Sequence, residues 1–181
     1  MRRFFVTAAL AGSFSAALLA QNAPSQAAAL KQQYNNVKNN IMAAADKMAE
    51  ADYSFQPTMP ERNFGGWVAH VADAQMNTCS RVAGSPKQLG AASKTSKADL
   101  VAALKESFDA CDAVYDGTTD ANAGDPIQGG FGGPTTRLAS LWGNISHDQE
   151  CYGTMAVYLR LKNIVPPSTE AMGRGRGGKK Q

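Results

Sequence analysis

Apolar residues recur at steps of three and four along four separate stretches of the chain, the spacing of a helix face turned toward a core. The first stretch carries Leu30, Tyr34, Val37, Ile41, Ala45 and Met48, and the second Phe64, Val68, Val71, Gln75, Cys79 and Val82. The third follows a Ser/Thr cluster (Thr95, Ser96) with Asp99 in its first turn, as a helix start prefers. It continues through Val101, Leu104, Phe108, Cys111 and Tyr115. The fourth is predicted from Pro134, a residue favoured in a first turn, to about Asn163, with Leu138, Leu141, Ile145, Tyr152, Met155 and Leu159 as its stripe. Pro166 and Pro167 bar its continuation. The intervening segments 52–63, 84–94 and 117–133 show no alternating strand pattern and read as connections. The Gly-rich run from Gly129 to Pro134 is neither a P-loop nor a dinucleotide fingerprint, and reads as a flexible crossover between the third and fourth helices. Four amphipathic helices on long connections predict an all-α, four-helix bundle.

With 181 residues the chain can build one domain with a substantial core. Its formal charge of +3 comes from its ends. Without residues 1–20 and 173–181, 12 basic side chains face 15 acidic ones, so a basic nucleic-acid-binding face is not expected. Arg2 and Arg3 followed by the apolar, Ala/Leu-rich run from Phe4 to Ala20 read as a secretory signal over residues 1–20, cleaved between about 20 and 28. That run is too short and too rich in small residues for a spanning helix, which needs about 20 strongly apolar residues. The expected layout is therefore a leader, a bundle over 29–168, and a disordered, basic, Gly-rich tail over 169–181. The mature protein is expected in the periplasm or secreted, free of the membrane.

The chemistry concentrates on the second and fourth helices. His147 and Cys151 stand four apart, one turn above each other on one helix face. That spacing lets imidazole and thiolate share one ion, a donor pair that suits zinc. His70 lies at the edge of the second helix's stripe and supplies a third ligand if the two helices are neighbours. Glu150 and Asp148 flank the pair, and Asp73 is one turn from His70, so carboxylates there are candidates to orient an imidazole or act as a base. The competing reading is two packed histidines and a cysteine brought together by chance. The run from His147 to Cys151 also mimics a zinc-protease helix, but no downstream acid completes it.

Trp67-Val-Ala-His70-Val on the second helix, with His147-x-x-x-Cys151-Tyr-Gly153 on the fourth, resembles the DinB-like superfamily. The ending from Tyr158 to Pro167 is similar to that of its exported bacterial members, and the resemblance runs from Gln32 to Pro167. It implies a bundle of up-down-down-up connectivity with a long crossover. It further implies three histidines holding a divalent metal, zinc or nickel, at His70, His147 and the position of Cys151. Here Cys replaces the third His, so the site survives with altered preference or is degraded. Characterised relatives include metal-dependent thiol transferases and isomerases. The resemblance thus implies a metal-dependent thiol transferase or hydrolase acting on a small molecule. The alternative is a non-catalytic metal-binding, ligand-binding or structural module. A homodimer is left open.

Three cysteines in an exported chain leave at least one unpaired. Cys79 and Cys111 sit on the apolar stripes of the second and third helices, whose packed axes lie about 8–10 Å apart. A Cys79–Cys111 bridge is expected, with Cys151 free for metal or redox chemistry. The alternative is a pair of buried free thiols. Segment lengths do not decide whether the crossover is 84–94 or 117–133.

Overall fold

The computed structural model describes residues 25–129 and 133–177, and the leader expected over residues 1–20 lies outside them. The four stripes each form a helix: α1 (Gln26–Lys47), α2 (Phe64–Val82), α3 (Lys97–Asp116) and α4 (Arg137–Leu161). Each begins on a side chain that accepts an otherwise unpaired backbone N–H. Ser25 caps Ala28, Asn63 caps Gly66, Ser96 caps Asp99 and Thr136 caps Ala139. Helix α4 stops before the prolines. Asn163 adopts φ 58°, and the N–H of Ile164 reaches back to the carbonyl of Leu159, closing a left-handed C-cap.

Cross-helix contacts fix the connectivity. Lys31 pairs with Asp116 while Lys97 donates to the carbonyls of Asp46 and Met48, so α1 and α3 are antiparallel. Gly65 abuts Leu100 while Cys79 joins Cys111, so α2 and α3 run parallel. Trp67 meets Tyr158 while Gln75 meets Asp148, so α2 and α4 are antiparallel. The order is up-down-down-up. The crossover is therefore the segment between the parallel pair α2 and α3, and Asp73 fastens it by accepting from the backbone N–H groups of Ala91 and Ala92 at 2.8 and 3.1 Å.

Of the two connections left open for the crossover, the structure thus selects 84–94, and the reading of the Gly-rich run in 117–133 as the crossover is corrected. That connection joins α3 to α4 and contributes to a two-residue antiparallel ladder, β1 (Pro126–Ile127) against β2 (Thr135–Thr136). The ladder takes up the residues after Pro134, which is why α4 starts at Arg137 rather than at the proline. The expected tail is corrected as well, because α5 (Pro167–Gly177) continues the fold beyond residue 169. Pro167 opens its first turn, Tyr152 Oη donates to Ser168 Oγ at 2.8 Å, and Lys47 pairs with Glu170 at 2.6 Å. Residues 178–181 lie outside the described residues.

Inside, Tyr34 stacks on Tyr115 with ring centroids 3.8 Å apart, and Leu30, Ile41, Phe64, Leu104 and Leu141 are fully buried in the same core. The Cys79–Cys111 disulfide is present, with Cα atoms 5.1 Å apart, and Cys151 is free and buried. Among the described residues, no helix is long and apolar enough to cross a membrane.

Candidate metal centre

Antiparallel packing of α2 on α4 brings His70, from the second turn of α2, against His147 and Cys151 on successive turns of α4. The two Nε2 atoms are 3.0 Å apart, and Cys151 Sγ lies 3.6 Å from His147 Nε2. One ligand atom from each residue falls within 4.8 Å of the other two. A tetrahedral ion with ordinary zinc bond lengths sets nitrogen ligands about 3.3 Å apart and nitrogen from sulfur about 3.6 Å. The donor types suit a divalent metal, and the His147–Cys151 distance matches that geometry, while the two imidazoles sit slightly closer than it asks and the third separation is bounded at 4.8 Å.

The surroundings orient these ligands. Trp67 meets the His70 ring edge-on at 5.8 Å, Trp67 Nε1 donates to Tyr158 Oη at 3.3 Å, and the Arg62 guanidinium covers the indole at 5.0 Å. Behind His147 lies Asp148, fully buried. Its Oδ2 accepts from Gln75 Nε2 at 2.7 Å, and Asn144 Nδ2 donates to Gln75 Oε1 at 2.6 Å. Its Oδ1 has no hydrogen-bond partner and lies 3.8 Å from His147 Nδ1. Burial pushes the Asp148 carboxyl up to about 6. The Asp148 carboxylate, then the Cys151 sulfur, holds His147 up at about 10, whereas burial and then Arg62 depress His70. The two imidazoles thus differ in basicity, the arrangement in which one donates to the other across the 3.0 Å gap.

Of the three carboxylates expected beside the ligands, Asp148 backs His147, and the other two behave differently. Both oxygens of Asp73 are engaged by the crossover backbone, so its role is to fasten that segment. Glu150 is exposed on the outer side of α4 and reaches His70 only as a distant charge. The residues that do support the site are Gln75, Asn144 and Asp148. Their signal in the sequence was a glutamine inside the α2 stripe and a step of seven from Ile145 to Tyr152 in that of α4, where Asp148 sits.

His70 and His147 border a cavity of about 600 Å³ between α2 and α4. Cys151 is 2% exposed, so the sulfur closes the inner side of the centre while the imidazoles face the cavity. A second cavity of about 720 Å³ lies at the α2 N-terminus near Arg62 and Lys94, and His70 and Asp73 border both.

The sequence model described as the DinB superfamily matches residues 33–155. No curated protein matches the chain. Among solved structures, a DinB-like protein from Bacillus cereus is similar with a TM-score of 0.66 at 17% identity, over 76% of this chain and 93% of that one. A DinB-like protein from Bacillus subtilis gives a TM-score of 0.59 at 17% identity, covering 74% of this chain and 91% of the other. A conserved protein from Enterococcus faecalis gives 0.62 at 16% identity, over 77% and 98%. At such identities these structures speak for the fold alone.

Proposed function

The chain belongs to the DinB superfamily, and from that premise we propose that the exported, mature protein binds one divalent metal through His70, His147 and Cys151 and acts as a metal-dependent thiol transferase or hydrolase. The observation that carries this reading is the convergence of one ligand atom each from His70, His147 and Cys151 within 4.8 Å of one another, a donor set that suits a tetrahedral ion. A zinc or nickel ion, when bound, supplies Lewis-acid activation of a thiol or a water. The chain's own part is to hold both imidazoles at the cavity wall. Trp67 fixes the His70 ring, and the Gln75–Asn144–Asp148 network backs His147. The disulfide suits the oxidising compartment to which the leader over residues 1–20 would send it.

One observation favours the second reading, a non-catalytic or degraded site. The imidazoles are close enough to satisfy each other by a direct hydrogen bond. Metal content of the purified exported chain separates the two. The first reading expects about one zinc or nickel per chain, in line with a mononuclear site, lost in His147→Ala and kept or tightened in Cys151→His. A chain that takes up neither ion after incubation leaves the non-catalytic reading.

A further inference from the structure

We propose that Arg81 reads a carboxylate on the molecule that occupies the cavity between α2 and α4, so that the substrate class is an elongated carboxylate. The proposal rests on the reading of the His70–His147–Cys151 centre given above. The cavity runs along α2 from His70 past Ala74 and Asn77 to Arg81, and along α4 from His147 past Gly143 to Ser140. Arg81 is the one Lys or Arg among its described lining residues, and the only acid there, Asp73, has both oxygens committed to the crossover backbone. No carboxylate pairs with Arg81 among the described residues. Its one polar partner is Asn77, whose side-chain oxygen accepts from Nη2. Most of its five donors are therefore left for a ligand.

A cation held against a cavity wall without a counter-ion raises the local concentration of anions. A single planar guanidinium matches the two oxygens of a carboxylate. A phosphate dianion would ask for a further cation, and the described lining residues hold none besides Arg81. The bond to Asn77 draws the guanidinium back one turn along α2 toward His70. Seven residues of helix then separate it from the histidine, about 10 Å along the axis. The wall between is low and mixed in character. Ala74, Ala139 and Gly143 leave space, a Cβ built on Gly143 meets nothing within 4 Å, and Thr78 and Ser140 offer hydroxyls. The occupant that fits carries its carboxylate about 10 Å from the group presented to the histidines, the span of three extended residues.

The test titrates the full mature chain, zinc-loaded and zinc-free, with the tripeptide Cys-Gly-Gly and with its C-terminal amide. The acid should bind at least about tenfold tighter than the amide, as a charge-assisted pair predicts. Arg81→Gln should bring that ratio to about one without changing zinc content, and Arg81→Lys should restore part of it, because it returns the charge but not the fork. Equal affinity for acid and amide, no binding of either, or an acid preference that survives in Arg81→Gln overturns the assignment. The zinc-free titration reads the carboxylate preference without the ion. Loss of the metal reading and loss of this one are therefore separate outcomes.

Discussion

The seam between α1 and α3 and the seam between α2 and α4 are built from the same kind of helix and end in opposite states. Across the first, Tyr34 stacks on Tyr115, the Tyr34 hydroxyl donates to Asp112 at 2.8 Å, and Lys38 holds the same carboxylate at 2.7 Å. Large rings fill the space and the polar tips find partners at its edge. Across the second lie small residues, two imidazoles, a buried amide network and a carboxylate oxygen with no partner, beside a cavity of about 600 Å³. Close packing makes the first seam a source of stability. The second forgoes that packing to keep polar groups and open space together, which is how a ligand site in a bundle differs from a core. One half of the molecule holds the shape in which the other half can afford a gap.

The largest break in this contrast should come from Tyr34→Ala. Removing a fully buried ring costs about 3–5 kcal/mol, and in a domain of this size each kcal/mol lowers Tm by about 2–4 °C. Metal uptake below the transition should be unchanged. His147→Ala should do the reverse, losing the ion while the Tm of the metal-free chain changes little, since the His147 side chain is 34% exposed. Thermal melts and metal content on both variants decide it. If Tyr34→Ala emptied the site while the chain stayed folded, the seams would not be separable.

The next effect concerns how α2 serves both sides. Its back is stapled to α3 by Cys79–Cys111, and Gly65 allows a close approach, since an added Cβ would meet Leu100 at 3.2 Å. The bridge spans a sequence separation of 32. Closing such a loop stabilises by about 3–4 kcal/mol in the chain-entropy model. A Cys79→Ala/Cys111→Ala variant should melt roughly 10 °C lower. It should also bind metal more weakly, because α2 carries His70 and Gln75, whose Oε1 rests 3.1 Å from Cys111 Sγ. A variant with the lower Tm but intact metal affinity would show that the staple serves stability alone.

The closed seam was the more legible of the two. Tyr34, Phe108 and Tyr115 keep the helical period, and the period alone puts them inside. The open seam was legible only where chemistry repeats along one helix, as His147 and Cys151 do. His70 reached the site through a tertiary neighbour that spacing does not supply, although the resemblance of its motif pointed there. Gln75 was visible inside the α2 stripe and Asp148 as a carboxylate beside His147, but Asn144 is a polar residue at a core position, which a search for apolar periodicity passes over. The direction of the crossover was hidden because either long connection could make it, and only the parallel placement of α2 and α3 decides. Helix α5 was concealed by its Gly-rich composition. It forms because Tyr152 and Lys47 meet Ser168 and Glu170, contacts that lie outside any local window. The two-residue ladder is too short to leave a pattern.

The smallest effect tests where the closed seam begins. Asp120, in the connection after α3, accepts from the backbone N–H of Ala27 at 2.8 Å and so ties down the first turn of α1. That backbone bond, followed by the Ser25 side chain, holds the Asp120 carboxyl below its ordinary range. A carboxyl whose pKa is lowered by folding adds stability above its unfolded value, and the gain disappears as the pH falls through the lowered one. Asp120→Asn should therefore lower Tm slightly at about pH 6, and the difference from wild type should shrink as the pH falls below the ordinary carboxylate range and wild type loses the same charge. The group is exposed, so the shift should be smaller than either of those above and shrink further with added salt. The same contact narrows the proposed cleavage window. A mature chain starting after Ala27 would lack both this bond and the Ser25 cap, so N-terminal sequencing of exported protein should find a start no later than Ser25. A start at residue 28 or 29, with Asp120→Asn then silent at every pH, would remove the first turn of α1 from the closed seam.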